Sequence, residues 1–514
     1  MQSHEAEQLR QAFASTLVGV AEHIPDPATR QQIAAVALAM PHVEEVATAL
    51  AIFLKDDDLI YPFMGLGRFY KEQGLYQSAE PWHNRCLEVT IARFGTEHLM
   101  VAISLNALAG LYFLQGRYAE AEPLHLRALE LSKHLLGNNH FSIATILNNL
   151  GYIYYTQGHY KEAENLYLQA LELRKHVPEI EHIDSAATLN NLGLLYGDQG
   201  RYQEAESLFK QALELSISLL GKEHPNVVNS LNNLATLHHK QGHFKEAEPL
   251  YFEALNLNQS LLADEHPAMI ISLNNLANFY CDQGNYVEAE SQILKAFKIS
   301  QAMLGDNHPD VAAILHSLGE VYYTQERYGE AEPYLIRAVE IDRNCLGNQH
   351  PHIADSLNSL ANLYRAQKRY AETDHLYREA LELRKQLLGE NHPSVATILN
   401  NLGGLFFEQG FLTEAEPFFV QALDLYNRIG ENTHSNKLAC FNNLGTVYLS
   451  QGRYTEAEPL LTKALENADR KLGPTHPDTV TFRNNLNKLR DRMAQNSDQS
   501  SVGDRSHPTT DNAS

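Results

Sequence analysis

From about residue 60 the chain alternates two kinds of amphipathic segment, each closed by a break, and the alternation returns every 42 residues. In residues 224–263 the first segment carries Leu231, Leu234, Ala235 and His238 at i, i+3, i+4 and i+7, the spacing of one buried stripe on a helix. Pro225 sits just inside its first turn, where the missing N–H has no intrahelical partner, and Gly242 breaks it. A helix A is therefore predicted over Pro225–Lys240. The second segment puts Phe244, Ala247, Leu250, Tyr251, Ala254 and Leu255 on its own stripe and predicts a helix B. Small alanines at 247 and 254 let the two helices approach to the ~8–10 Å of ridge-into-groove packing. In other repeats the position of His238 is usually Tyr, as at Tyr112, Tyr154 and Tyr280, and once Phe406.

Gln73-Gly74 and its successors keep this register through ten copies to Gln451-Gly452 without an insertion or deletion, although Glu326 and Lys368 replace the glycine in repeats seven and eight. That loss predicts a local bend or a softer segment. A fixed period of this size marks a stacked array in which each unit buries its apolar face against its neighbours. The expected fold is all-α, a right-handed superhelical solenoid of tandem helix pairs. Residues 1–59 read as an N-terminal helical cap, with Pro41 between two short apolar helices and a heptad-like segment before Pro25 formed by Phe13, Leu17, Val20 and Ile24. Residues 60–476 are the ten repeats. Residues 477–494 read as a capping helix, because Asn487 and Arg490 stand where core side chains would, and 495–514 as a disordered polar tail.

Leu147, Leu150, Gly151, Tyr154, Gly158, Tyr160, Ala163, Tyr167 and Ala170 follow an order that resembles the tetratricopeptide repeat. The unit here is longer and closes with a Leu-Gly-x-x-His-Pro phrase, as at Leu304 to Pro309 and Leu388 to Pro393. Length, turn and closing phrase together resemble the kinesin light chains. The resemblance implies an accessory subunit of a microtubule motor that holds cargo or adaptor peptides in a concave groove, with a kinesin heavy chain as a further partner. It does not extend to the long coiled coil that precedes the repeats in that family, since only two heptad-like steps stand there. The alternative is a tetratricopeptide adaptor of another signalling or assembly complex with no link to microtubules.

Three ladders carry the candidate chemistry. Asn pairs lie between two core leucines of helix A, on the side away from the buried stripe. In tetratricopeptide proteins that side lines the groove, so the resemblance makes Asn149, Asn191, Asn233, Asn275, Asn401 and Asn443 candidates to grip a bound peptide backbone, a task suited to an amide that both donates and accepts. Bridging between neighbouring helices is the competing role. Groove positions that vary between repeats, among them Arg68, Lys71, Tyr155, Lys240 and Arg365, would set specificity and suit a peptide with an aromatic and some acidic residues. A histidine recurs at one position from His98 to His476, but equivalent positions lie at least ~8–10 Å apart, against metal–nitrogen bonds of ~2.0–2.1 Å; hydrogen bonding at the start of helix A is expected instead. The third ladder, including Glu80, Glu122, Glu164, Glu290 and Glu416, complements the positive end of helix B.

Composition narrows the partners. With 40 basic and 63 acidic side chains the net charge is -23, which repels phosphate backbones and argues against nucleic acid. The four cysteines are scattered without C-x-x-C spacing and read as small apolar fillers of a reducing compartment. The N-terminal segment has no secretory h-region and no apolar run reaches a membrane span, so a cytoplasmic protein without membrane insertion is expected. No P-loop, G-x-S-x-G elbow or H-E-x-x-H occurs, and no cofactor or metal is implied; the expected role is non-enzymatic, with peptide or protein ligands.

Overall fold

The computed structural model describes residues 2–24, 30–175, 183–261, 268–429, 435–474 and 476–503, all of them in helices, turns or short connections. Two compact units divide the chain. The first holds the residues up to 390 apart from two turn segments, and the second holds those turns, 198–201 and 240–243, with the residues from 391 onward. Both are built from the same helix pair. In the first unit the pairs begin with Tyr61–Lys71 and Tyr76–Phe94, then Leu99–Leu114 and Tyr118–Leu136, and reach repeats seven and eight at Pro309–Thr324 with Tyr328–Leu346 and Pro351–Ala366 with Tyr370–Leu388. The second holds Pro393–Glu408 with Leu412–Ile429, and Ser435–Ser450 with Tyr454–Lys471. Helix A of repeat five spans Pro225–Lys240, the range its sequence predicts. The fold is an all-α solenoid of tandem helix pairs, and no helix among the described residues is long and apolar enough to cross a membrane.

The turn between the helices depends on a left-handed residue. Gly116 has φ 70°, its N–H donates to Phe113 C=O, and Arg117 N–H donates to Tyr112 C=O at 2.9 Å. Glu326 and Lys368 adopt the same conformation, φ 59° and 61°, with the same bonds, so the expected bend is absent at these turns. The closing bonds hold a side chain in a region that glycine enters without the Cβ penalty.

At the N-terminus, helix Gln2–Glu22 lies on helix A of repeat one, burying Ala14, Leu17, Val18, Ala21 and Ile24. The approach is close enough that a Cβ on Gly65 would stand 2.6 Å from that of Ala21. Leu17 and Ile24 of the heptad-like set are therefore covered within the chain, while Phe13 is 42% exposed. The set does not form a coiled-coil stripe open to a partner, because the first repeat needs the same apolar atoms to close its end. Pro41 falls inside the first turn of helix Met40–Glu45, after helix Arg30–Ala37. At the other end Asn487 and Arg490 are exposed on the last helix while Leu486 and Leu489 are buried. This helix runs from Pro477 to Gly503 rather than stopping at 494, since no Gly or Pro interrupts it before Gly503. The remainder of the polar tail, 504–514, lies outside the described residues.

Candidate functional site: the inner face of the helix A array

Helices A of neighbouring repeats pack directly on one another, as repeat two does on three and seven on eight in the first unit. Within each unit they thereby form a wall. The Asn ladder runs along it. In the first unit Asn149 Nδ2 donates to Asn106 Oδ1 at 3.5 Å and Asn191 Nδ2 to Asn148 Oδ1 at 3.1 Å, while Asn190 and Asn232 donate to Ser230 and Ser272. His316 and Ser359 take the same places in repeats seven and eight, 2.8 Å apart. The second unit repeats the rung with Asn443 to Asn400 and Asn485 to Asn442. Asn149, Asn191 and Asn443 thus brace neighbouring helices. The six singled out by sequence, Asn149, Asn191, Asn233, Asn275, Asn401 and Asn443, are all half-buried. One bracing bond occupies a single N–H of an amide that carries two and a carbonyl besides.

Three predicted residues, Arg68, Lys71 and Asn149, meet around a cavity of 340 Å³ in repeats one to three, with Met64, Gly110, Phe113, Leu114 and Tyr152. Tyr155 stacks on Tyr152 with ring centroids 5.9 Å apart. Arg68 is half-buried and donates to Ile24 C=O at 2.7 Å, and Lys71 pairs with Glu72 at 3.1 Å. Lys240, Arg365, Asn191, Asn233 and Asn275 are not part of this cavity. Lys240 bonds Asp198 at 3.2 Å.

Two residues that sequence reasoning missed complete the lining, His83 and His125 of helix B. They occupy the position of Tyr167, Phe209, Tyr251 and Tyr377 in other repeats, and that departure was the available signal. Both are buried, at 7% and 1% exposure, and Nδ1 of each has no hydrogen-bond partner. Burial pulls both imidazoles down to about 4, and at His83 the charges of Lys71 and Arg68 add to it. The cavity is therefore lined by neutral rings, each with a buried, unpartnered Nδ1, beside two cationic side chains.

The other ladders are structural. Each of the seven recurrent histidines from His98 to His476 that lie within the described residues accepts at Nδ1 from the backbone N–H two residues on, capping helix A as expected. No group of His, Cys, Asp and Glu that could hold a metal occurs among the described residues. The Glu ladder does more than face a helix dipole. Arg117 lies over Tyr112 with its carbon 3.9 Å from the ring centroid and reaches Glu80 of the preceding helix B at 2.7 Å. Arg327, Arg369 and Arg453 repeat this with Glu290, Glu332 and Glu416. Tyr154 and Tyr196 instead donate directly to Glu122 and Glu164.

A family model described as tetratricopeptide repeat matches residues 60–131, 101–176, 184–260, 268–344, 352–428, 394–470 and 437–498, and a second model of that repeat matches 317–372. No curated protein matches the chain. Among solved structures it is similar to the nearly identical TPR-like repeats of a candidate kinesin light chain from Podosopora anserina, at 26% identity and TM-score 0.34 over 41% of this chain and 98% of that one. It is also similar to BtubC (BKLC) from P. vanneervenii, at 22% and 0.30 over 54% and 94%. A Rap protein complexed with competence and sporulation factor aligns at 14% and 0.49 over 78% and 99%.

Proposed function

Because the chain belongs to the tetratricopeptide repeat family, we propose that it is a non-enzymatic scaffold whose inner face holds an extended segment of a partner protein. The cavity of repeats one to three carries this reading: a concave site of peptide side-chain size, mostly apolar, with a few convergent polar groups. Phe113 and Tyr152 would take an aromatic side chain, and Lys71 with Arg68 an acidic one. The half-buried amides Asn149, Asn191, Asn233 and Asn275 would hold the peptide backbone, and Tyr155, Lys240 and Arg365 would tune specificity, with Asn401 and Asn443 serving the same purpose in the second unit.

The kinesin light chain-like phrase of the repeats supports a cytoplasmic motor accessory subunit that binds cargo or adaptor peptides. A second reading, an adaptor for an assembly without microtubules, is favoured by the N-terminal helix. Its Leu17 and Ile24 pack on repeat one, and a heavy chain would have to displace them. Purifying the intact chain from its native lysate and identifying what accompanies it separates the two: a kinesin heavy chain supports the first, and its consistent absence beside another stable partner the second. Peptides from the recovered partner then test the groove. Asn191→Ala, Asn233→Ala and Asn275→Ala together should weaken peptide binding by ~0.5–1.5 kcal/mol per lost hydrogen bond with the helices intact. Unchanged affinity per folded molecule beside a lowered melt would mean that these asparagines stabilise the fold and do not hold the peptide.

A further inference from the structure

In the first unit the chain returns on itself. A Cβ on Gly74, in the turn of repeat one, would stand 2.5 Å from Pro309 Cδ, and one on Gly116, in repeat two, 2.6 Å from Pro351 Cδ. The two contacts have the same offset along the chain, so they are one register of packing. The histidines before those prolines are buried, at 5% and 4% exposure. His350 Nε2 donates to Leu114 C=O at 3.1 Å, and His308 makes the equivalent bond to the backbone of Glu72. At the same time their Nδ1 atoms cap their own helices, accepting from His352 N–H and Asp310 N–H at 3.1 Å. Each ring is fixed as the neutral tautomer with both nitrogens used.

We propose that the His-Pro loops of repeats seven and eight clasp the turns of repeats one and two, closing a seam between successive coils of the solenoid, and that acid opens it. Helix A runs from a His-Pro loop to a glycine turn, so loops and turns lie along opposite edges of the array. When the turn edge of an early coil rests on the loop edge of a later one, the inner face is reached along the axis rather than from the side. A proton on Nδ1 removes the cap acceptor while Nε2–H still donates across the seam, so acid acts through the cost of keeping a charged ring buried between the two edges.

The surroundings set which ring resists. His350 faces His352, with ring centroids 4.6 Å apart, and Arg384, both of which oppose a second positive charge. Tyr118, from the turn edge, faces Arg384 and Asp355. His308 faces Asp310, whose carboxylate lies 3.7 Å from Nδ1 and favours the charged ring, and Tyr76 approaches the same Asp310 and Glu72. Burial dominates at both and pulls the His350 imidazole down to about 3. A folded value below the ordinary ~6.5 means that the clasp is whole above pH ~6.5 and is lost as pH falls from there toward 3.

The test reads the seam and needs no ligand. Spin labels are placed at Gln77→Cys and Asn348→Cys in a chain carrying Cys281→Ser and Cys345→Ser; the labelled positions are exposed and flank the contact, Gln77 lying beside Gly347. Gly74→Asn with Gly116→Asn keeps a residue that tolerates the left-handed turn but adds the Cβ that the prolines exclude. Gly284→Asn is the control, since nothing lies within 4 Å of its Cβ position. The parent and the control should give one short distance near pH ~7.5, and the double variant a longer, broader distribution at unchanged helicity. The parent should lengthen in the same way near pH ~5 with its helices intact. A short distance that survives in the double variant overturns the clasp. A short distance retained in acid, or lost only together with helicity, overturns the acid opening.

Discussion

Repeats one and two and repeats three to five share a backbone register but not what helix B buries. In the later repeats Tyr167, Phe209 and Tyr251 are fully or almost fully covered, and the rings of Tyr167 and Phe209 lie where a Cβ on Gly151 or Gly193 would have to stand. In the earlier two the smaller imidazoles of His83 and His125 hold that place: a Cβ on Gly67 would run into His83 Nε2, and repeat two carries Ala109 at the equivalent position. In the earlier repeats these two imidazoles line the cavity beside Arg68, Lys71 and Asn149. Repeats in one register thus place different rings at the same buried position, and where that ring is an imidazole it lines the cavity.

That contrast can be broken at the aromatic side first. Phe209→Ala should cost ~3–5 kcal/mol in a urea melt, because a full ring leaves a void in a packed interface. A cost near zero would mean that the later repeats also tolerate open space. On the other side, His83→Phe with His125→Phe should stabilise the protein at neutral pH by ~1–3 kcal/mol per unpartnered polar atom removed, while abolishing peptide capture in the cavity. The same pair governs pH dependence. Their folded values, about 4, lie below the unfolded ~6.5, so their contribution is whole above 6.5 and lost as pH falls toward 4. Thermal melts of the double phenylalanine variant should be flatter over that window than those of the parent. Asn149→Ala and Asn191→Ala sharpen the comparison further, since both lose a brace but only Asn149 lines the cavity. Each should cost ~0.5–1.5 kcal/mol in stability, with a loss of cavity ligand binding confined to Asn149→Ala. The smallest effect is expected at the turns: Glu326→Gly and Lys368→Gly should change stability by no more than ~1 kcal/mol each, strain relief opposing the greater freedom of glycine when unfolded.

Much of this was legible because it is local. The period, the bounds of Pro225–Lys240, the left-handed turn and the histidine caps each follow from a few consecutive residues. The Asn pairs were read as lying away from the buried stripe, yet Asn190, Asn232 and Asn442 are buried, and the bonds between pairs depend on how far one helix is rotated against the next, which no single repeat contains. The Arg117, Tyr112 and Glu80 staple joins residues from two repeats in the same way. The seam at Gly74 and Gly116 was the least accessible, since it sums small rotations over more than five repeats before its two sides meet. The burial of the N-terminal helix was hidden for another reason: an apolar stripe of two heptads looks the same whether it faces a partner or its own chain.

Four inter-repeat rungs of paired asparagines among the described residues donate from the later helix to the earlier one: Asn149 to Asn106, Asn191 to Asn148, Asn443 to Asn400 and Asn485 to Asn442. These Asn–Asn rungs therefore carry a direction within each unit, although Asn190 and Asn232 donate the other way, to Ser230 and Ser272. An extended chain laid on such a surface meets different partners when its ends are exchanged, because its own N–H and C=O groups swap direction. A segment and its sequence-reversed counterpart, equal in composition and charge, are therefore different ligands for this protein.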